Sequence, residues 1–393
     1  MIAVLVFAST LFLAVLLSGQ AQRSVLSTAV LFLLAGFVAG DRILGIVSLK
    51  PDNSVVALLA ELTLFSVLFT DGMRLGLDDL ASAWSLPGRA LLLGMPLTLV
   101  STALLARTLV GLSWTESFLL GAVLSPTDPV LAAAIVGREE VPKRLRQLLN
   151  VESGLNDGLA LPVVVVLLGI IKAQQVNVGA VIGAAALGVA LGVLVPWIAL
   201  LIGRNALPTA TSIYEPFDAF AIGLLVLALS WLMHANEFLA AFAAGVTIAT
   251  VSPEARDEFR VFGERVTELL KLAALLVFGA LISPGSFMEV DPQVVAFLVL
   301  VLLGARPVAF GIALLGSGLS WRERVVAAWF GPKGFASVVY GLYILASGAP
   351  DARRLFNLTA VVVAGSIIAH SSTDVVVARW FQGQESEQPM VPE

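Results

Sequence analysis

The chain has no cysteine, only two histidines, and charged residues at only 13% of its 393 positions. Without cysteine it can form neither disulfide bonds nor a cysteine-ligated metal centre. Two histidines argue against a zinc or haem centre, so we expect no cofactor. A soluble domain usually carries about twice this fraction of charged residues. The low charge therefore argues against a soluble protein, and we expect no nucleic-acid partner.

Apolar residues, in contrast, are abundant. They make up 58% of the chain, and the mean hydropathy is +0.96. They fall in runs of roughly 15–25 residues, which is the length that a helix needs to cross a bilayer. The alternating segments of ~10 residues that are typical of a membrane β-barrel do not occur in the sequence. The composition predicts an all-α polytopic membrane protein whose surrounding partner is membrane lipid.

Breaks at glycine, proline and charge clusters divide the chain into about thirteen predicted transmembrane helices. The predicted spans are 2–18, 25–40, 54–70, 86–106, 116–136, 145–171, 178–202, 216–233, 236–251, 264–282, 292–315, 323–347 and 355–380. The first span lacks the basic flank and cleavage site of a signal peptide, so we expect it to be retained. The polar residues 382–393 predict a disordered tail.

Basic residues outside the spans indicate the orientation of the chain. Most of them fall on one predicted side, notably in the loops between helices 5 and 6 and between helices 9 and 10. The positive-inside rule makes that side cytoplasmic, with the N-terminus outside and the C-terminus in the cytoplasm. We expect the protein in a prokaryotic plasma membrane, the cell inner membrane.

Two predicted helices contain residues that oppose helix formation. Helix 5 carries Ser-Pro-Thr-Asp-Pro at 125–129, and helix 12 carries Gly-Pro-Lys-Gly at 331–334. Each proline lacks a backbone donor, so both helices should open there. Interrupted helices at matching positions of two halves indicate an inverted repeat around a substrate site. Asp128 and Lys333 would offset partial charges at the opened ends, or Asp128 would bind a transported ion directly.

Predicted helix 6 carries a polar stripe in an otherwise apolar run. Glu152 and Asn156 are four residues apart, as are Ser153 and Asp157, so all four share one helix face. A buried stripe needs protein partners, water or a bound ion. Asp157, with the hydroxyls of Ser153 and Thr127, offers hard oxygens that suit an alkali cation.

Three basic residues also lie within predicted spans and need partners there: Lys271, Arg306 and Lys333. Arg306 and Lys333 are both candidate partners for Glu152, and the sequence leaves that choice open. A buried pair of this kind would be structural and would keep Glu152 ionised.

A carboxylic acid that is removed from water titrates above its usual pKa of about 3.9. Such a group can hold a proton or a cation, but not both. If the site opens alternately to each side, this competition yields cation/proton exchange without covalent chemistry, so we do not expect an enzyme. A cation channel or another proton-coupled transporter is the alternative, although no selectivity filter or charged ring is evident.

The run from Leu124 to Leu161 resembles the monovalent cation/proton antiporter superfamily, in particular its NhaP-like and NHE-like branch. Ser-Pro-Thr-Asp-Pro followed by Val-Glu-Ser-Gly-Leu-Asn-Asp-Gly carries the resemblance. Weaker matches are Phe-Thr-Asp-Gly-Met at 69–73 and Gly-Pro-Lys-Gly at 331–334. Many family members have Gly-Leu-Arg-Gly at the latter position, and this chain departs from them there.

The resemblance implies a fold of inverted six-helix repeats with crossed, unwound helices 5 and 12. It implies a homodimer in which a core domain moves against a dimerisation domain. The corresponding segments are 1–85 (dimerisation, helices 1–3), 86–172 (core, helices 4–6), 173–291 (linker helix 7 and dimerisation helices 8–10) and 292–381 (core, helices 11–13).

The resemblance also implies roles for individual residues. Asp157 would bind the cation and the proton, with Thr127 and Ser153 as further ligands. Asp128 and Asn156 would organise the crossing, and Glu152 would pair with a basic residue. Asp71 would line a cation entrance, or it is an ordinary interfacial carboxylate.

The neighbouring Asn156 and Asp157 resemble the electroneutral branch, which implies exchange of one Na⁺, K⁺ or Li⁺ for one H⁺. Phe-Thr-Asp-Gly-Met also resembles branches associated with K⁺/H⁺ exchange, so the cation stays open. Exchange of this kind would serve pH homeostasis.

Overall fold

The computed structural model of the chain is almost entirely helical where it is described. The described residues are 2–21, 28–41, 43–50, 53–74, 86–127, 141–172, 178–206, 215–282, 291–371, 373 and 380. Within these ranges the only β pairing is an isolated bridge between Gly40 and Val47. The prediction of an all-α fold is confirmed. The predicted tail, 382–393, lies outside the described residues.

Fourteen helices make up the described part of the chain. They are α1 (Ile2–Ala21), α2 (Thr28–Ala39), α3 (Ser54–Arg74), α4 (Pro87–Val110), α5 (Trp114–Leu124), α6 (Lys143–Lys172), α7 (Val178–Ala206), α8 (Glu215–Leu232), α9 (Glu237–Val251), α10 (Pro253–Leu281), α11 (Pro292–Ala313), α12 (Trp321–Trp329), α13 (Phe335–Ala346) and α14 (Ala352–Ser371).

The helices have the length and surface of membrane spans. Six described helices are long and apolar enough to cross a bilayer, and six further apolar helices are shorter. Large apolar side chains are exposed along their outer faces, for example Val4 at 69%, Ile182 at 63% and Leu303 at 58%. Such a surface is suited to contact with lipid. The membrane class is therefore confirmed, and the number of thirteen spans stays a prediction.

One predicted boundary is wrong by several turns. The sequence pattern predicts the tenth helix at 264–282, but α10 begins at Pro253. Ser252 caps it by accepting a hydrogen bond from the Ala255 N–H (3.5 Å), and proline occupies the first turn. This is a favourable helix start. Arg256 and Arg260 consequently lie on a helix rather than in a loop.

A helix end stands at each of the two predicted interruptions. α5 ends at Leu124, and residues 125–127 are not helical. Residues 330–334 separate α12 from α13 within the single helix that the sequence predicts at 323–347. The remainder of predicted helix 5, with Asp128, lies outside the described residues. The crossing of the two interrupted helices stays a prediction.

The helices pack in two groups. One group contains α1–α3 and α7–α10, and the other contains α4–α6 and α11–α14. Contacts between the groups are made mainly by α13 against α3 and α10, and by α6 against α3 and α9. The interrupted helix α12/α13 and the polar stripe of α6 thus lie close to where the groups meet.

Backbone contact without intervening side chains joins α3 to α9. A Cβ atom built at Gly245 would lie 2.7 Å from the Met73 backbone nitrogen and would clash with the Phe69 carbonyl oxygen. Gly72, on α3, likewise faces the Phe242 carbonyl oxygen. Small residues allow such close approach between membrane helices.

We predict that Gly245→Ala destabilises the protein by about 1–3 kcal/mol, because the methyl group must separate the two helices. Gly311→Ala is the matched control, since nothing lies within 4 Å of a Cβ at that helical position. The control should be neutral or gain up to about 1 kcal/mol from helix propensity. Thermal unfolding in detergent measures both, and equal stability of the two variants would contradict this packing.

Candidate functional site

The polar stripe of α6 is buried inside the protein. Glu152 and Ser153 are each 1% exposed, Asn156 is 0% exposed and Asp157 is 6% exposed. Thr127, in the non-helical segment after α5, is buried with them. The helix exposes its apolar side instead, where Leu159 and other residues face outward. The sequence therefore places these polar groups where each of them needs a partner.

Thr127 is the centre of a hydrogen-bond network with the stripe. Its hydroxyl lies 3.0 Å from the Ser153 hydroxyl and 3.2 Å from a Glu152 carboxylate oxygen. Asn156 Nδ2 donates to the Thr127 hydroxyl at 2.7 Å and to Glu152 at 3.0 Å. The interruption of α5 thus allows a loop hydroxyl to enter the middle of a polar helix face.

Arg306 is the basic partner of Glu152. Its two terminal nitrogens donate to the two carboxylate oxygens at 3.0 Å each. Both side chains are buried, at 4% and 1% exposure. Bidentate geometry and burial make this a strong, oriented pair. Arg306 follows a π-helical turn, Val301–Ala305, a local widening that often occurs at functional sites.

The same guanidinium also contacts the interruption between α12 and α13. It lies 3.3 Å from the Phe330 carbonyl oxygen and 3.4 Å from that of Ala327. Its carbon is 3.7 Å from the centre of the Phe310 ring, a cation–π contact. A Cβ at Gly331 would clash with this guanidinium. The glycine in Gly-Pro-Lys-Gly is therefore required for close approach to Arg306.

Lys333 does not pair with Glu152 but points to the end of α5. Its ammonium donates to the carbonyl oxygens of Ser125 (3.2 Å) and Pro126 (3.4 Å), and the side chain is buried. These carbonyls lie at the negative end of the α5 dipole, where a cation is favourable. Ser337, on α13, also donates to the Val123 carbonyl at 2.7 Å. The two interruptions are therefore in direct contact.

Asp157 lies one helical turn beyond Ser153, and its main chain is held by α13. The Tyr340 hydroxyl donates to the Asp157 carbonyl oxygen at 2.7 Å. Asp157 and Asp71 both lie close enough to Tyr340 to act on it electrostatically. Tyr340 is therefore near both the α6 carboxylate and the α3 carboxylate.

Asp71 is placed apart from the Thr127 network, near the end of α3. It is buried, and the Arg74 guanidinium lies 3.5 Å from its carboxylate. Arg74 also pairs with Glu264 of α10 at 3.0 Å. Asp71 thus has a basic neighbour, and that neighbour joins α3 to α10. Asp128, the remaining predicted residue, lies outside the described residues.

Sequence reasoning missed three residues near the site: Tyr340, Ser366 and His370. Spacing alone gives no reason to place Tyr340 against α6, because the two are far apart in the chain. Ser366 belongs to no recognisable motif, yet its hydroxyl accepts the Lys333 backbone N–H at 2.7 Å. A detectable signal existed for His370, which is a titratable residue within a predicted span.

Comparisons with known proteins agree with this architecture. A family model described as "Sodium/hydrogen exchanger, transmembrane" matches residues 8–380. The solved structure of the sodium proton antiporter MjNhaP1 from Methanocaldococcus jannaschii at pH 8 has a TM-score of 0.77 at 18% identity, covering 98% of this chain and 99% of that one. An electron microscopy map of MjNhaP1 gives 0.72 at 17% identity, covering 98% of each chain. These structures share the fold.

Curated relatives match over most of the chain. The K(+)/H(+) antiporter NhaP of Alkalimonas amylolytica is 25% identical over 358 residues, which cover 89% of this chain and 62% of that protein. The K(+)/H(+) antiporter NhaP2 of Shewanella oneidensis is 25% identical over 388 residues, covering 96% and 66%. The chain thus spans less than two thirds of the length of these relatives.

We predict that Arg306→Gln destabilises the protein by about 3–5 kcal/mol, because it leaves the Glu152 carboxylate buried without its cation. The double variant Glu152→Gln/Arg306→Gln should recover part of this loss, since no isolated charge remains. Asp257→Asn is the control, because Asp257 is 65% exposed and its pair with Arg256 contributes about 0–1 kcal/mol. Thermal unfolding in detergent measures all three. An unchanged melting temperature for Arg306→Gln would contradict the assignment.

Proposed function

The chain belongs to the transmembrane sodium/hydrogen exchanger family, and from that membership we propose that it is an antiporter, not an enzyme. It exchanges a monovalent cation for a proton by alternating access. The observation that carries this proposal is a buried carboxylate, Asp157, on a polar helix face that meets two interrupted helices. A carboxylate retained at such a place is expected to belong to an ion or proton path.

Asp157 is the group for which the two ions compete. With the hydroxyls of Thr127 and Ser153 it supplies oxygen ligands, which alkali cations prefer. The protonated form cannot bind the cation, so one ion enters as the other leaves. The two hydroxyls are 3.0 Å apart. Glu152 and Asn156 of α6 hold the Thr127 hydroxyl in place by hydrogen bonds.

The neighbouring polar and charged residues support the site and do not bind the transported ion. Glu152 is paired with Arg306 and acts as a structural group of the site. Lys333 stabilises the open end of α5, and Asn156 with Asp128 organises the crossing of the interrupted helices. Asp71 lines the cation entrance, with Arg74 beside it.

The packing of the helices in two groups supports the proposal that a core domain moves against a dimerisation domain. We assign 86–172 and 292–381 to the core, and 1–85 and 173–291, which includes the linker helix α7, to the dimerisation domain of a homodimer. The contacts of α6 and α13 with α3, α9 and α10 form the surface along which the core moves.

The protein resides in a prokaryotic plasma membrane with its N-terminus outside and its C-terminus in the cytoplasm. The clustering of basic residues on one side supports this orientation. Curated relatives of bacterial origin support the location.

We predict that Asp157→Asn abolishes cation-dependent proton flux while the fold is retained, because an amide can neither be ionised nor bind the exchanged proton. The matched control is Asp257→Asn, which neutralises an exposed carboxylate. Both variants are reconstituted in vesicles that contain a pH-sensitive dye, and their melting temperatures are compared. Full activity of Asp157→Asn would refute the role of this carboxylate.

We also predict electroneutral exchange of one cation for one proton. Asn156 is uncharged, so Asp157 is the one carboxylate of the neighbouring pair that can bind a cation or a proton. Na⁺, K⁺ and Li⁺ gradients are compared in the same vesicles, with the membrane potential clamped or free. The names of the NhaP and NhaP2 relatives point to K⁺, whereas MjNhaP1 is named as a sodium proton antiporter, so this comparison identifies the cation. A rate that depends on the clamped potential indicates electrogenic exchange and overturns this stoichiometry.

A further inference from the structure

His370 is a buried imidazole at the end of α14 that touches the interrupted helix. It is 4% exposed. Its ring stacks on Trp329, the last residue of α12, with centroids 4.9 Å apart and an interplanar angle of 24°. The Phe330 ring packs edge-on against the imidazole, with ring centroids 6.2 Å apart. The histidine is thereby fixed in one orientation against the end of α12.

Both ring nitrogens face backbone carbonyl oxygens. Nδ1 lies 2.8 Å from the Ser366 carbonyl, and Nε2 lies 2.9 Å from the Trp329 carbonyl. A neutral imidazole carries a single N–H and can donate to only one of them, whereas the imidazolium ion donates to both. The surroundings of the ring therefore provide a complete set of acceptors for its charged form.

A second arrangement suits the neutral ring. The Ser366 hydroxyl lies 3.2 Å from Nδ1 and can donate to it, while Nε2–H still donates to the Trp329 carbonyl. Protonation of His370 exchanges this hydroxyl donor for the Ser366 carbonyl acceptor. The Trp329 contact persists in both states, so only the Ser366 side of the ring changes.

Ser366 connects this change to the site. The same hydroxyl oxygen accepts the Lys333 backbone N–H at 2.7 Å, and the Lys333 ammonium in turn holds the end of α5. On the other side of the interruption, the Phe330 carbonyl is bound by Arg306, the partner of Glu152. His370 binds the Trp329 carbonyl, and Ser366 binds the Lys333 N–H. These two residues therefore hold both ends of the segment between α12 and α13.

Some groups around the ring oppose its protonation and others favour it. Burial of the ring is the largest influence against its charged form. Within the described residues, Lys333 of the interruption and Arg306 of α11 also act on it electrostatically, and both disfavour a further positive charge. The C-terminal end of α12 favours one, because helix carbonyls there carry a partial negative charge. Glu152 of α6 moderates Arg306 through their ion pair.

We propose that His370 is a positioning residue whose protonation alters its hydrogen bonds to the α12/α13 interruption and so sets the pH dependence of exchange. This inference rests on the proposed antiport function. The histidine does not touch the transported ion and acts through Ser366, Lys333 and the backbone of the interruption.

Two substitutions separate a proton-dependent role from a purely structural one. His370→Gln keeps a donor for the Trp329 carbonyl but cannot be protonated, whereas His370→Ala loses both functions. His234→Asn is the control, since the other histidine lies in an exposed loop with positive φ, a conformation that asparagine tolerates. Exchange is measured in dye-loaded vesicles between about pH 5 and 8, where histidine ordinarily titrates.

We expect His370→Gln to transport but to lose one limb of the wild-type pH profile, and His370→Ala to lose rate throughout. The His234→Asn profile should match that of wild type. A His370→Gln profile that superimposes on wild type, with equal thermal stability, overturns the proposal. Absence of exchange in wild type itself would instead count against the proposed function.

A direct measurement does not depend on transport. The chain has only two histidines, so isotope-labelled histidine in the His234→Asn variant gives ring ¹⁵N signals from His370 alone. We expect a change from one protonated nitrogen to two across the same pH range. A ring that stays in a single protonation state throughout overturns the proposal, even if every substitution at His370 prevents folding.

Discussion

The buried ion pair between Glu152 and Arg306 is the interaction on which the rest of the site depends. Removing two charges from water is expensive, and the pair repays this because its geometry is bidentate and one terminal nitrogen of Arg306 also reaches backbone carbonyls. It joins the polar face of α6 to α11 and to the end of α12. Thr127 and Asn156 then bind the same carboxylate, so the pair also fixes the position of the Thr127 hydroxyl beside Ser153.

Open backbone inside a membrane is the second constraint. Carbonyl and N–H groups that are released from helical bonding need partners, because lipid supplies none. Lys333 satisfies the carbonyls after α5, Arg306 and His370 satisfy those at the end of α12, and Ser366 accepts the N–H of Lys333. Side chains of separate helices thus replace the hydrogen bonds that the prolines remove. This explains why so many buried polar residues gather at two short segments.

Sequence patterns predicted the parts of this arrangement that depend on local chemistry. Apolar run length gave the membrane helices, the prolines at 126 and 332 marked both interruptions, and four-residue spacing placed the α6 stripe on one face. The partner of Glu152 could not be chosen, because spacing carries no information about which distant helix approaches. The same limit hid Tyr340 and His370, whose contacts arise only from tertiary packing. The early start of α10 was missed because its charged first turns do not resemble a membrane span, although Ser252 and Pro253 signal a helix start.

Lys333 is anchored twice, by its main chain to α14 and by its side chain to α5. Lys333 therefore links α14 to the end of α5. Neither the tip of α5 nor the stretch before α13 can shift by itself without breaking the hydrogen bonds of the buried Lys333 Nζ. In the proposed exchange cycle, these two pieces are therefore expected to move together as one rigid body.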